Sequence, residues 1–233
     1  MARGAKQDTI IEIDEAWAAS ILPRREAGAH KWSVGGVVVL AGSPQFMGAA
    51  VLCCMAAGRS GAGVVTAALP RALVPVVVGA APEVAVAVLP EGDGPSAARR
   101  AVDAIKERVE KSKALAIGPG LGDDEAVDAL LSVLFGVVRA RPSIGFSAGG
   151  RSEETVAESL VTSSGLPVVL DADGLNWLAR QDEWWKLLPE GRVVLTPHAA
   201  EMARLTGKEP EEITADPIAA ARDGAAKWGQ TVV

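Results

Sequence analysis

The 233 residues carry 23 Lys and Arg against 29 Asp and Glu, a formal net charge of −6, and this balance excludes a surface built to neutralise a nucleic-acid backbone. Hydrophobic residues make up 49 % and charged residues 22 %, which excludes a disordered chain and predicts a folded one, and against an average domain of about 150 residues the length fits one large or two small domains. Aromatics are scarce and include no Tyr, whereas Gly reaches 25, so tight backbone turns are expected rather than base-stacking platforms.

The N-terminal MARGAKQDTIIEIDEAW lacks the apolar core of a secretory signal, and no apolar stretch has membrane-spanning length. A cytoplasmic protein with no membrane partner is therefore expected. Short β-branched runs then alternate with Ala-rich segments, the pattern of a parallel sheet with crossover helices. The runs are Val37 to Ala41, Val64 to Ala68, Val84 to Val88, Ala114 to Ile117, Pro167 to Leu170, Val193 to Leu195 and a final Thr231 to Val233. Their apolarity is continuous, as in strands covered on both faces.

Between the first two runs, Gly48 to Arg59 is apolar nearly all round and is expected to pack between the sheet and other helices. It holds Cys53 and Cys54, which as sequence neighbours cannot form an ordinary disulfide or offer two ligands to one zinc. They read as small hydrophobes in a reducing compartment. Ala97 to Lys111 repeats apolar residues every three or four positions, with Ser96 as its expected N-cap. Asp123 to Phe135 opens with three acids, which favour a helix N-terminus. Arg139 to Arg151 mixes Arg, Pro, Ser and Gly and reads as a mobile loop or an insertion. No linker separates two folds, so residues 1–233 are read as one domain with residues 1–29 as a lead-in.

Ligands of doubly wound sheets sit beyond the carboxyl ends of the strands, and four of these ends are unusual. The first run leads into AGSPQFMGAAV, a Gly/Ser loop opening a helix at Gly48. This is either an anion-binding turn or an ordinary one, and it matches neither GxGxxG nor a Walker A. The fourth ends in GPGLG, centred on Gly120, which fits backbone lying against a ligand or a packed turn. The fifth ends in DADGLN, where Asp171 and Asp173 stand two apart with Asn176 one helical turn on. These carboxylates are placed to hold hydroxyls, a metal or a proton, or Asp173 merely caps the helix. The sixth ends in TPHAAE, with His198 at the mouth of the sheet. Together they line one edge of one sheet, as an enzyme cleft for a nucleotide-sized ligand requires.

HKWSVGGVVVLAGSPQFMGAA, AALP, AIGPGLG, PVVLDADGLNWLA and VVLTPHAAEMARLTG, in this order, resemble the ADP-dependent NAD(P)H-hydrate dehydratases of the ribokinase-like superfamily. The resemblance implies an α/β fold with a mostly parallel central sheet and helices on both faces, three layers in all. It implies a metabolite-repair lyase in which the S-form of hydrated NADH or NADPH loses water as ADP is cleaved to AMP and phosphate. ADP, or ATP in its place, would be the co-substrate and Mg²⁺ a companion. Carried over by motif, Ala50, Gly120, His198 and Asn176 would touch the hydrated dinucleotide, with Asp171 and Asp173 supporting that pocket. A homotetramer is a further implication, and fusion to an epimerase domain occurs in some members.

The sequence departs from the family at Trp32, where the family has Gly, and at Ala199 and Ala200, where it has Pro-Gly. The family's Lys-Gly nucleotide loop and its Gly-Thr-Gly-Asp helix start, with the catalytic Asp, would follow Val233. The chain is therefore expected to hold most of the substrate side and little of the ADP side, and to be inactive and aggregation-prone alone. No catalytic residue or metal ligand is assigned. Two other readings remain: a kinase of the same superfamily acting on a vitamin precursor, and a non-catalytic nucleotide-binding module.

Overall fold

A computed structural model describes residues 10–137 and 158–233; the Arg139 to Arg151 segment lies outside them. In chain order the elements are α1 (Glu15–Ile21), α2 (Lys31–Val34), β1 (Gly36–Leu40), α3 (Met47–Arg59), β2 (Val64–Pro70), α4 (Val74–Ala80), β3 (Ala85–Leu89), α5 (Gly94–Glu110), β4 (Ser112–Ile117) and α6 (Glu125–Leu134). They continue with α7 (Leu160–Ser163), β5 (Val168–Leu170), α8 (Asp173–Leu178), β6 (Val193–Leu195), α9 (Ala199–Thr206), α10 (Pro210–Ala215), α11 (Pro217–Trp228) and β7 (Thr231–Val232).

The seven strands form one sheet in the order β3-β2-β1-β4-β5-β6-β7, and every pairing is parallel. All seven expected runs are strands, with ends shifted by a residue or two. The register fixes the layers, because successive strand residues face opposite ways. Val38 and Leu40 of β1 enter one core with Leu115 and Ile117 of β4, beneath α5, α6, α8 and α9. Val39 and Ala41 enter the other, beneath α3 and α4. This is a three-layer α/β/α fold.

The first core carries the large aromatics: Trp177 stacks on Phe135 with centroids 5.1 Å apart, and Trp184 meets Trp228 at 4.6 Å. The second is built from Val, Ala and Leu with Cys54. Both cysteines are free, and burial pushes the Cys54 thiol up to about 11. Cys53 is also raised, by burial first and by the nearby Asp171 carboxylate second.

Two expectations about helices need correction. α3 does not lie between layers: Ala50 and Cys54 alone are buried along it, and Leu52 is 69 % exposed. Its apolarity comes largely from small residues, so a single stripe suffices to cover β1 and β2, and among the described residues nothing covers the outer face. α5 starts before Ser96, with Asp93 in the cap position and Pro95 in the first turn, where proline's fixed φ suits a helix start. The acidic start of α6 behaves as expected, since Asp124 accepts from the Val127 N–H at 2.9 Å.

The lead-in carries α1, which buries no residue, and is held to the body by Arg25 donating to the Gly61 carbonyl at 2.9 Å. Both histidines are helix N-caps, His30 for α2 and His198 for α9. Among the described residues no helix is long and apolar enough to cross a membrane.

Candidate functional site

Neighbouring in the sheet but far apart in sequence, β1 and β4 flank the switch point of the strand order, where crossovers leave to opposite sides and a crevice opens. The loops after them are stitched together: Gly42 N–H donates to the Pro119 carbonyl at 2.8 Å, and Gly118 N–H donates to the Leu40 carbonyl at 3.1 Å. Because the order runs β1-β4-β5-β6, the four unusual strand ends stand side by side.

Two of the three glycines of GPGLG, Gly118 and Gly120, serve protein packing, whereas a Cβ on Gly122 would meet nothing within 4 Å. Gly118 adopts φ +128°, and a Cβ there would lie 1.9 Å from the Asp171 carbonyl oxygen, so only glycine lets the β4 end pass beneath the β5 end. Gly120 adopts φ +67°, and its bare Cα faces Ala49 Cβ and Phe46 Cβ, which a Cβ would meet at 2.6 and 2.8 Å. Ala50 is buried at 1 % exposure and packs beneath Gly42. Of the MGAA segment, Gly48 is exposed and Ala49 half-buried.

Asp171 is half-buried at the end of β5, and its Oδ1 accepts from the next N–H, that of Ala172, at 2.9 Å. Ala172 then takes φ +49°, ψ −117°, a region costly to any residue with a Cβ. That strained turn separates the two aspartates. Asp173 is the first residue of α8 and does not cap it; the cap position belongs to Ala172, with no side-chain bond. Instead Asp173 Oδ2 accepts from the Gly122 N–H at 2.8 Å, and its Oδ1 accepts from Asn176 Nδ2 at 3.4 Å. Asn176 Oδ1 in turn accepts from Arg204 Nη1 at 2.8 Å. One chain of hydrogen bonds thus ties the β4–α6 loop, α8 and α9.

His198 is built into a capping box: its Nδ1 accepts from the Ala200 and Glu201 N–H groups at 3.2 and 3.4 Å, while its own N–H donates to Glu201 Oε2 at 3.0 Å. Nε2 lies 3.2 Å from Glu201 Oε1, and the His198 side chain is 66 % exposed. Ala199 and Ala200 start α9 without positive φ, so replacing Pro-Gly leaves this turn unstrained.

A cleft of about 680 Å³ opens over these ends, lined by Gln45, Phe46, Gly122, Asp123, Asp173, Asn176, Ala179, Arg180 and Arg204. Of the six residues singled out in the sequence, Asp173 and Asn176 line it. Gly120 lies directly under Phe46, Ala50 is buried behind the same loop, and Asp171 and His198 stand outside the lining. A narrower pocket of about 260 Å³ lies on the other side of the β1–α3 loop among Pro44, Pro70, Pro90 and Leu121, beside a buried Ser43 hydroxyl that has no hydrogen-bond partner. Sequence reasoning missed Phe46, Arg180 and Arg204. The available signals were that Phe46 lies within AGSPQFMGAAV and that Arg204 sits six residues after His198, both in blocks already singled out.

Residues 37–233 match the family model described as NAD(P)H-hydrate dehydratase. The chain belongs to this family. Among curated family members, the bifunctional NAD(P)H-hydrate repair enzyme Nnr of Moorella thermoacetica is 37 % identical over 216 residues, covering 93 % of this chain and 36 % of the relative. The Nnr of Salinibacter ruber is 34 % identical over 224 residues, covering 96 % and 36 %. The chain therefore spans 36 % of the length of either relative. The crystal structure of the ADP/ATP-dependent NAD(P)H-hydrate dehydratase from Bacillus subtilis, co-crystallized with ATP/Mg²⁺, superposes with a TM-score of 0.66 at 26 % identity, covering 94 % of this chain and 64 % of that one. A ribokinase-like superfamily protein from Enterococcus faecalis, at 21 % identity and TM-score 0.70 over 95 % and 64 % of the two chains, shares the fold.

Proposed function

We propose that this chain binds the S-form of hydrated NADH or NADPH and serves its ADP-dependent dehydration back to NAD(P)H, with release of AMP and phosphate. The observation that carries the reading is the placing of the four family-motif loops on adjacent strands, above a cleft that two of the motif residues line. Phosphoryl transfer from ADP to the ring hydroxyl would free AMP and create a leaving group. Departure of phosphate and a ring proton would then restore the dihydronicotinamide. Chemistry of this kind draws its rate from positioning and charge stabilisation, which suits a site tied together by hydrogen bonds across three elements.

Among the described residues, no three His, Cys, Asp or Glu side chains converge on a possible metal position. These residues therefore build no protein cage for Mg²⁺. An accompanying ion would be held chiefly by nucleotide phosphate oxygens, the usual habit of Mg²⁺. A cytoplasmic setting belongs to the same reading and is supported by two free cysteines. So does assembly with further copies of the chain as a tetramer, supported by the outward Leu52 of α3.

Competition binding tests the reading against a vitamin-precursor kinase. Hydrated NADPH is expected to displace a nicotinamide-dinucleotide probe from the folded chain, while a hydroxyethylthiazole leaves it bound. Displacement by the thiazole alcohol alone would overturn the dehydratase assignment.

A further inference from the structure

The 680 Å³ cleft lies within the range of small-molecule sites, about 300–1,000 Å³, and its lining is chemically divided. Phe46 presents a ring that is 54 % exposed, on the loop after β1. Asp123 and Asp173 stand beside it, at the starts of α6 and α8. Arg180, just past α8, and Arg204, in α9, line the cleft from those helices. An exposed aromatic ring on a soluble surface calls for a flat apolar partner. Two guanidiniums with free donors call for phosphate oxygens, and carboxylates between them suit ribose hydroxyls, as in other dinucleotide sites.

The polar network sets which atoms remain free. Arg204 spends one N–H on Asn176 Oδ1, which turns the Asn176 amide so that its Nδ2 faces Asp173. The second Nδ2 hydrogen and the remaining Arg204 donors stay available. Among the described residues the Arg180 guanidinium makes no ion pair or hydrogen bond, and only its backbone N–H is used, on the Trp177 carbonyl at 3.2 Å. The Gly122 N–H is consumed by Asp173, so this lining residue keeps no donor for a ligand, and the arginines supply the charged ones.

We propose that this cleft is a nucleotide subsite in which Arg180 and Arg204 bind phosphate, Asp123 and Asp173 hold ribose hydroxyls, and Phe46 stacks on the base. The proposal rests on the functional reading above for its ligand, the hydrated dinucleotide. The chemistry it recognises is shared with ADP, and the test separates the two sources. Arg204 is in addition a positioning residue for Asn176.

The test is isothermal titration of the folded 233-residue chain and of two variants, Arg180→Ala and Phe46→Leu, with hydrated NADPH, ADP, nicotinamide riboside and pyrophosphate. Both side chains are exposed, so the fold should survive, and thermal melts matching the parent confirm it. Arg180→Ala is expected to weaken hydrated NADPH by about tenfold, the effect of one charge-assisted contact, and to reduce the salt dependence of binding. Nicotinamide riboside should be unaffected. Phe46→Leu should weaken the ring-bearing ligands several-fold and leave pyrophosphate unchanged. Parent-like binding of hydrated NADPH to both variants overturns the cleft proposal and leaves the dehydratase reading standing. Binding of ADP but not hydrated NADPH, with the same dependence on Arg180, upholds the cleft as a nucleotide site and overturns that reading. No binding of any phosphate ligand to the folded chain overturns both.

Discussion

Gly118 shows how a motif that looks like ligand chemistry is first a matter of packing. Its φ of +128° and the 1.9 Å approach of the Asp171 carbonyl to a hypothetical Cβ make any side chain there both strained and obstructed. Gly118→Ala is expected to cost roughly 2–4 kcal/mol, read as a lower denaturant midpoint at unchanged slope; a variant as stable as the parent would show that the β4 and β5 ends are not locked this way. The positions of Asp171, Asp173, Asn176 and His198 at strand ends were legible because each follows an apolar run. Their partners were not. That Asp173 reaches the Gly122 N–H 51 residues away, or that Arg204 orients Asn176, depends on strand order, which no local pattern encodes. Phe46 lies in a loop that was singled out, but its role was hidden, since an aromatic in a loop reads the same whether its ring faces the core or a cleft.

At the scale of elements the strands were read well because a doubly covered strand is a continuous apolar run bounded by turn residues. Helix surroundings were read less well. α3 was apolar enough to suggest burial between layers, yet its residues are small, and a narrow stripe of Ala50 and Cys54 completes the core. That stripe makes a chemical prediction. Burial favours the protonated thiol and pushes Cys54 up to about 11. A raised acid pKa means the fold gains from the neutral thiol at and below the unfolded value of 9.0 and loses that gain as pH rises toward 11. Native Cys54 should therefore resist iodoacetamide at pH 8 and react once the chain is unfolded. Rapid native labelling, tracked by mass spectrometry, would contradict the packing of α3. The same helix–loop economy appears at His198, whose ring nitrogen caps α9, so that part of its hydrogen-bonding capacity serves the element that carries it.

For the molecule as a whole, a parallel α/β architecture was legible from alternation alone, whereas the order β3-β2-β1-β4-β5-β6-β7 was not. That order is what turns separate motifs into a site, by placing the ends of β1, β4, β5 and β6 in one row. Among the described residues helices cover the two faces unevenly: Val169 of β5 is 39 % exposed on the face opposite the aromatic core, and Leu52 of α3 is 69 % exposed. Exposed apolar surface of this kind favours association, and handling the chain dilute is a practical consequence. On the proposed function, the row of strand ends binds the hydrated dinucleotide. Amide hydrogen exchange with and without hydrated NADPH tests it most directly. Saturable slowing of exchange confined to the loops at 42–49, 118–124, 171–176 and 198–204 is expected; slowing elsewhere, or none in a folded chain at saturating ligand, would rule such binding out.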